Sequence, residues 1–303
     1  MPPKKAQTNG SGAEKPTKAG ASASKDETPN SQMSDDAKAD GISKKRKAPS
    51  SSEPNKILQF LLSPSSLDLC RPKDEIEDLK TRGPETRTYS TSTFTPFEGL
   101  VCALILSRPI GHMLGLRSIR TIFNPPYEFT TPKRIREAGN EGCRKALDEA
   151  RTQHRQKMAE ELVLLADAVV NSLGHGDEDV NLERVREESG HDNEKERETL
   201  KKNVKGLGKT GLDIFGRRIQ GIWPEFYPFA DQRTLAAAEN LGLPGSAEEL
   251  RDMLDGNWEK LDVKGIEAMD DEEKKRKAFV RVLERAVGAD LEGNIDSIKS
   301  EAA

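Results

Sequence analysis

The spacing of apolar residues along the chain predicts helices and gives no convincing strand. Residues 100–106 are nearly all apolar, which indicates a helix that is buried on most sides. The preceding segment, Thr95-Pro96-Phe97-Glu98, has the pattern of a capping box with proline at the first helical position. Apolar residues at helical spacing also predict the longest helix within 143–173 and another over 270–288. The predicted fold class is all-α.

Shorter helices are predicted between these segments. Proline and glycine set their limits, because proline stops a helix and glycine often ends one. These helices cover 57–62, 114–123, 131–135, 212–222 and 231–241, followed by one that Ser246 caps. A break is expected at 139–142, where Gly139 and Gly142 occur.

The N-terminal segment, residues 1–53, contains almost no large apolar side chains. Such a segment cannot offset its ordering entropy by burial, so we predict a disordered tail. The whole chain is 34% hydrophobic and 33% charged, and its globular part must therefore be shorter than its 303 residues. Residues 54–94 are predicted to be a linker with one short helix.

A compact basic cluster lies in this tail and consists of Lys44, Lys45, Arg46 and Lys47. It suits recognition by a nuclear import receptor or a weak contact with phosphate. The same residues are also compatible with a solvated run of charge. The import interpretation predicts a nuclear protein.

Charge and cysteine content narrow the possible functions. The net charge of −4 does not by itself indicate a nucleic-acid binder, and the distribution of charge matters more than its sum. Cys70, Cys102 and Cys143 are far apart in the sequence and lack the spacing of a zinc or iron–sulfur site. We therefore predict no metal and no cofactor. No apolar run is long enough to predict a membrane-spanning helix.

A glycine-rich turn, Gly206-Leu207-Gly208, lies between two helical patterns. Glycine permits a tight turn and lets backbone N–H groups approach a ligand. At the start of a helix these groups also carry the positive end of the dipole, so an anion such as a DNA phosphate fits there. Taken alone, the same glycines are compatible with a purely structural turn.

The order of these features resembles the helix-hairpin-helix DNA glycosylases of the endonuclease III superfamily. A capped apolar helix comes first, then a middle helical region, the glycine turn, and an acidic residue, Asp231, that opens a helix. The resemblance covers residues 95–245. It leaves 177–200 as a charged insertion, expected to be mobile, and 246–303 as a C-terminal helical extension. It implies a domain that binds double-stranded DNA with a damaged or mismatched base and flips that base into a cleft.

The resemblance assigns the catalytic role to Asp231, whose carboxylate would stabilise positive charge on the sugar and assist the incoming water. The alternative is a plain helix cap. Bifunctional relatives have a lysine two residues after the second glycine, where this chain has Thr210. Lys209 is one residue too early and should point away from the cleft, toward phosphate. The chain therefore resembles a monofunctional glycosylase, and the iron–sulfur cluster of many relatives cannot form because no cysteine follows Cys143.

DNA contacts are expected from the turn and from a second loop. The predicted DNA-binding residues are Gly206, Leu207, Gly208, Lys209, Arg108 and His112. In the loop at 108–112, Arg108 could reach phosphate and His112 could fill the gap left by a flipped base. The alternative is a helix-ending loop without a ligand.

Other conspicuous residues have a structural interpretation beside the functional one. Arg217 and Arg218 could touch DNA or form a solvated face. Four aromatic residues could stack a base, although a core position is favoured: Trp223, Phe226, Tyr227 and Phe229. Three histidines are expected to be solvated: His154, His175 and His191.

The leading hypothesis is a nuclear base-excision repair enzyme, a DNA glycosylase that acts on double-stranded DNA. One alternative is a catalytically silent DNA-binding or scaffold protein that retains the fold. Another is an unrelated helical interaction protein in which the glycine turn is coincidental. Placement of Gly206, Gly208 and Asp231 around one concave surface would argue against the last.

Overall fold

The computed structural model describes residues 53–303, and every regular element in that range is helical. The all-α prediction is confirmed for this part of the chain. The predicted tail and its basic cluster, Lys44 to Lys47, lie outside the described residues except for Glu53, which begins the first helix. The α-helices are α1 (Glu53–Leu62), α2 (Lys73–Arg82), α3 (Pro96–Leu106), α4 (His112–Ile122), α5 (Pro132–Glu149), α6 (Arg155–Ala168), α7 (Glu183–Ser189), α8 (Asn193–Asn203), α9 (Lys209–Ile219), α10 (Gln232–Leu241), α11 (Ala247–Asn257), α12 (Asp271–Leu291) and α13 (Ile295–Ala302).

The helices pack around two hydrophobic clusters. The central cluster comes from one continuous stretch, between Tyr89 and Phe226, and α3 lies at its middle with six residues that are fully buried. The terminal cluster joins the two ends of the described chain, residues 57–70 and 238–298. A cleft lies between the clusters, since its walls include Leu116 of the first and Cys70 of the second.

The capping box predicted at the start of α3 is present. The Thr95 hydroxyl accepts a hydrogen bond from the Glu98 amide, and the Glu98 carboxylate accepts one from the Thr95 amide. Arg87 also forms an ion pair with Glu98. The first turn of the most buried helix is therefore fixed by local chemistry.

Residues 54–94 contain the predicted short helix, as part of α1, and a second helix, α2, where only linker was expected. Helix α1 contributes Leu58 and Leu61, both fully buried, to the terminal cluster and packs on α12 and α13. Helix α2 has no continuous apolar stripe. It is held by the buried Arg120 of α4, which forms ion pairs with Asp74 at 3.0 Å and Asp78 at 2.7 Å.

The long helix predicted within 143–173 is two helices. The chain reverses between α5 and α6, where Arg151 and His154 both have a φ of +56°. The break expected at 139–142 is a single non-helical residue, Gly139, and α5 continues beyond it. The tight turn after α5 allows α5 and α6 to pack closely against each other.

The charged stretch at 177–200 contains α7 and most of α8. Leu182, Val185 and Leu200 of this stretch are fully buried and anchor it in the central cluster. Within the described residues, no helix combines the length and the apolar character that a bilayer crossing requires.

Candidate functional site

The turn between α8 and α9, residues 204–208, forms a hairpin at the surface. Gly206 has a φ of +87°, a conformation that glycine adopts readily. A Cβ there would also overlap the guanidinium of Arg108. Leu207 is buried and anchors the hairpin in the central cluster. The backbone therefore forms the tight glycine turn that the sequence predicts.

Gly208 is the N-cap of α9 and has ordinary extended backbone, with φ −90° and ψ −171°. A Cβ at this position would meet no atom within 4 Å. Because glycine has no side chain to cap the helix, the first N–H groups of α9 have no side-chain cap, and the space beside Gly208 is open. This end of α9 has the geometry that favours an anion.

Arg108 is directed into the protein, whereas the sequence suggested an outward contact with phosphate. Its guanidinium donates to the Gly206 carbonyl at 3.1 Å and pairs with Glu161 at 2.7 Å. Glu161 is almost completely buried, and a buried carboxylate requires a partner. Arg108 thus braces the hairpin against α6.

Lys209 and Thr210 both border the cleft at the start of α9. This differs from the expectation that Lys209 points away from it. The Lys209 side chain is 89% exposed and its Nζ bonds to Asp213, one turn later, at 2.7 Å. An exposed lysine side chain can run along the helix surface to a carboxylate four residues later. Lys209 therefore stays at the cleft although it precedes Thr210 by one residue on the helix.

Asp231 caps α10 as predicted and also lines the cleft. Its Oδ1 accepts from the Thr234 amide at 3.1 Å, and its Oδ2 accepts from the Thr234 hydroxyl and from Arg217, both at 2.7 Å. Burial raises the pKa of Asp231, but the charge of Arg217 and these hydrogen bonds outweigh burial and leave the pKa below its ordinary value. The carboxylate is therefore ionised at neutral pH.

Arg217 is buried, so neither interpretation from the sequence, a DNA contact or a solvated face, describes it. It bridges Asp231 and Glu284 of α12, donating to the Glu284 Oε1 at 2.9 Å. The two carboxylates raise the pKa of Arg217 despite its burial. Sequence analysis missed Glu284. The signal available was a charged residue directly beside the buried stripe of α12, next to Leu283.

Arg218 is also held within the protein. It donates to the carbonyls of Tyr89 at 2.7 Å and Ser92 at 2.9 Å, and its guanidinium lies 4.1 Å from the centre of the Tyr89 ring. Tyr89 and Ser90 line the cleft. Arg218 therefore fixes one edge of the cleft instead of facing solvent.

His112 lines the cleft at the first residue of α4. Its Nε2 is buried without a hydrogen-bond partner in the described part of the chain and lies 3.8 Å from Glu292. Burial and the nearby Arg233 lower the pKa of His112 to about 4. His112 presents a neutral imidazole to the cleft at pH 7.

The aromatic cluster has the favoured core role. Trp223 and Phe226 are buried, and each packs edge-on against Phe215. Tyr227 packs against Phe279 in the terminal cluster. Of the residues that line the cleft, none comes from this aromatic cluster, so base stacking there is not its role.

The other histidines are exposed as predicted, and two of them lie in groups with metal-ligand geometry. The groups found among the described residues are His175 with Glu183 and Glu187, and His191 with Glu196 and Glu225. The first is fully exposed, and in the second Arg186 binds Glu225 at 2.7 Å. Both lie outside the lining of the cleft.

The cleft brings together residues that are far apart in the sequence. Its volume is about 580 Å³, within the range of sites for small organic groups. Five predicted site residues line it, namely Arg108, His112, Lys209, Thr210 and Asp231, together with Arg217 and Glu284. Gly206, Leu207 and Gly208 are not part of this lining, although Lys209 follows them directly. An ionised carboxylate beside an exposed helix start can stabilise a cation while an anion is bound nearby.

Comparison of the chain with protein-family models, with curated proteins and with solved structures finds no match.

Proposed function

We propose that this chain is a helix-hairpin-helix DNA glycosylase that removes a damaged or mismatched base from double-stranded DNA. The observation that carries the proposal is a cleft lined by the partly buried, ionised Asp231 and by Lys209 and Thr210, the residues that directly follow an exposed glycine hairpin. The hairpin supplies N–H groups without a side-chain cap for a backbone phosphate. The cleft is large enough for an extruded nucleotide.

In the proposed reaction the bond between the sugar C1′ and the base nitrogen breaks, and its electron pair leaves with the base. The sugar becomes an oxocarbenium-like cation, which Asp231 stabilises through its negative charge. Water then adds to C1′, and the proton that it loses balances the electron pair on the departed base nitrogen, so the products are the free base and an abasic sugar. The lowered pKa of Asp231 makes it a weak base, so its main role is electrostatic.

The proposed enzyme is monofunctional. Thr210 has no amine that could attack the sugar, and the Lys209 ammonium is bound to Asp213. Because Lys209 lines the cleft, a lyase activity with Lys209 as nucleophile is the second outcome that an experiment must separate. The proposed nuclear location rests on the basic cluster, Lys44 to Lys47.

A catalytically silent DNA-binding protein is the alternative function. One specific observation favours it, since the Asp231 carboxylate already accepts three hydrogen bonds within the protein. A silent protein would bind damaged duplexes without releasing a base.

The test is incubation of the full chain with duplexes that carry oxidised, alkylated, deaminated or mismatched bases, followed by splitting each sample into portions with and without alkali. Strand breaks only after alkali are expected. Breaks without alkali would reassign Lys209 as a nucleophile. Tight binding without breaks on any duplex would support the silent alternative and overturn the enzymatic proposal.

A further inference from the structure

Four charged groups are linked around Asp231, namely Arg217, Asp231, Glu284 and Arg218, and the Arg218 guanidinium lies 4.0 Å from the Glu284 carboxylate. Arg217 lies between Asp231 and Glu284, and the side chains of Arg217, Asp231 and Glu284 are 7%, 12% and 15% exposed. Tyr89 donates a further hydrogen bond to Glu284 at 3.3 Å. Tyr89, Arg217, Asp231 and Glu284 line the cleft, and Arg218 lies behind this lining. Water therefore screens these charges weakly, and their sum determines the field in the cleft.

The count of charges explains why a second carboxylate matters. Asp231 alone with Arg217 would be a neutral pair, and the guanidinium at 2.7 Å would cancel most of the carboxylate's effect on a cation in the cleft. Glu284 binds the Nε side of the same guanidinium. Arg218 lies 4.0 Å from the same carboxylate, so the four charges sum to zero with Glu284 and would sum to +1 without it.

Other charged groups near the cleft are already engaged or exposed. Asp213 pairs with Arg197 and Lys209, and Arg285 donates to the Leu61 and Ser63 carbonyls. Arg233 is exposed at the start of α10, and His112 is neutral. The balance of buried charge at Asp231 thus depends on Glu284.

We infer that Glu284 is a positioning residue for the proposed reaction, which offsets the charge of Arg217 so that Asp231 can stabilise a cationic sugar. This inference rests on the proposed function. It gives α12 a part in the site, although the sequence marked that region only as an extension. Glu284 acts through Arg217 and needs no contact with the substrate.

The probes are two duplexes that differ only at one abasic position, one with a cationic pyrrolidine ring and one with a neutral tetrahydrofuran ring. The measured quantity is the ratio of their dissociation constants. The wild-type chain should bind the pyrrolidine duplex more tightly. Glu284→Gln should lower that preference about tenfold while affinity for the tetrahydrofuran duplex is retained. A residue with only a structural role would change both affinities together.

Two variants serve as controls. Glu284→Asp keeps the charge and should retain the preference even if the shorter side chain lowers stability. Glu272→Gln removes an exposed carboxylate from the same helix and should change nothing. An unchanged ratio in a folded Glu284→Gln variant, or a wild-type chain without preference, would overturn the inference. If the wild type releases a base but Glu284→Gln has the same ratio of dissociation constants, the proposed function stands and only the role of Glu284 fails. If the wild type prefers the pyrrolidine duplex but releases no base from any duplex, only the proposed function fails.

Discussion

The two walls of the cleft are built on opposite physical principles. The hairpin wall is formed by Lys209 and Thr210, which line the cleft, and continues into Gly206 and Gly208 beside it; all four residues are exposed. The carboxylate wall consists of Arg217, Asp231 and Glu284, whose charges are mostly removed from water. Salt screens interactions with the first wall strongly and interactions with the second wall much less. Under the proposed function, we therefore expect substitutions in the first wall to change duplex binding and substitutions in the second wall to change base release.

The largest expected effect comes from the carboxylate wall. Asp231→Asn should reduce base release about 10³-fold, because the charge opposite the sugar is lost. Asparagine is also a good N-cap, so α10 should remain stable. Single-turnover excision and equilibrium binding measure the two consequences separately. Full activity in this variant would contradict the assignment.

The hairpin wall depends on one buried ion pair for its support. Arg108→Met leaves Glu161 buried without a partner and should lower the free energy of unfolding by about 3 kcal/mol. Adding Glu161→Gln should recover part of this loss, since the uncompensated charge is then removed. Urea denaturation of the two single variants and the double variant tests the pair. Equal stability of Arg108→Met and wild type would show that the brace contributes nothing.

The two hairpin glycines form a matched pair. Gly206→Ala should lower stability by about 1–2 kcal/mol, because alanine tolerates positive φ poorly and its Cβ overlaps the Arg108 side chain. Gly208→Ala should leave stability unchanged, since the space is open. Both changes should weaken duplex binding at low salt. In Gly208→Ala the sole cause would be the new Cβ, which keeps the phosphate away from the backbone N–H groups. Unchanged binding of Gly208→Ala across a salt titration would remove the phosphate role.

The smallest expected effect is at Lys209. Lys209→Gln should weaken duplex binding a few-fold and reduce the slope of its salt dependence by about one. Stability should hold, because Asp213 keeps Arg197 as a partner at 2.6 Å. Excision detected after alkali should be unaffected. Loss of alkali-independent strand breaks in this variant would instead identify Lys209 as a nucleophile.

The glycine turn and the helix starts were predictable from the sequence because their signals are local. The glycines of the turn, the capping box of α3 and the cap at Asp231 each depend on residues within one or two helical turns. Each produces a pattern that can be read without knowledge of the fold. The same patterns did not fix the direction of Arg108, whose partner Glu161 lies in a different helix.

The carboxylate wall was only partly predictable, because ion pairs between residues far apart in the sequence produce no repeating pattern in it. Glu284 lies 67 positions beyond Arg217. Helix α2 was missed for the same reason, since it is fixed by the buried Arg120, 46 positions beyond Asp74. The terminal cluster joins α1 to helices at the other end of the chain. The spacing of apolar residues does not show which helices pack against each other.

The most direct test of the account is a crystal structure of the full chain bound to a duplex with one tetrahydrofuran abasic site. We expect the abasic nucleotide to be rotated out of the helix into the cleft, with its sugar facing Asp231 and a neighbouring phosphate at the N-terminus of α9. A duplex bound on another face, or a stacked abasic nucleotide with an unoccupied cleft, would contradict the account.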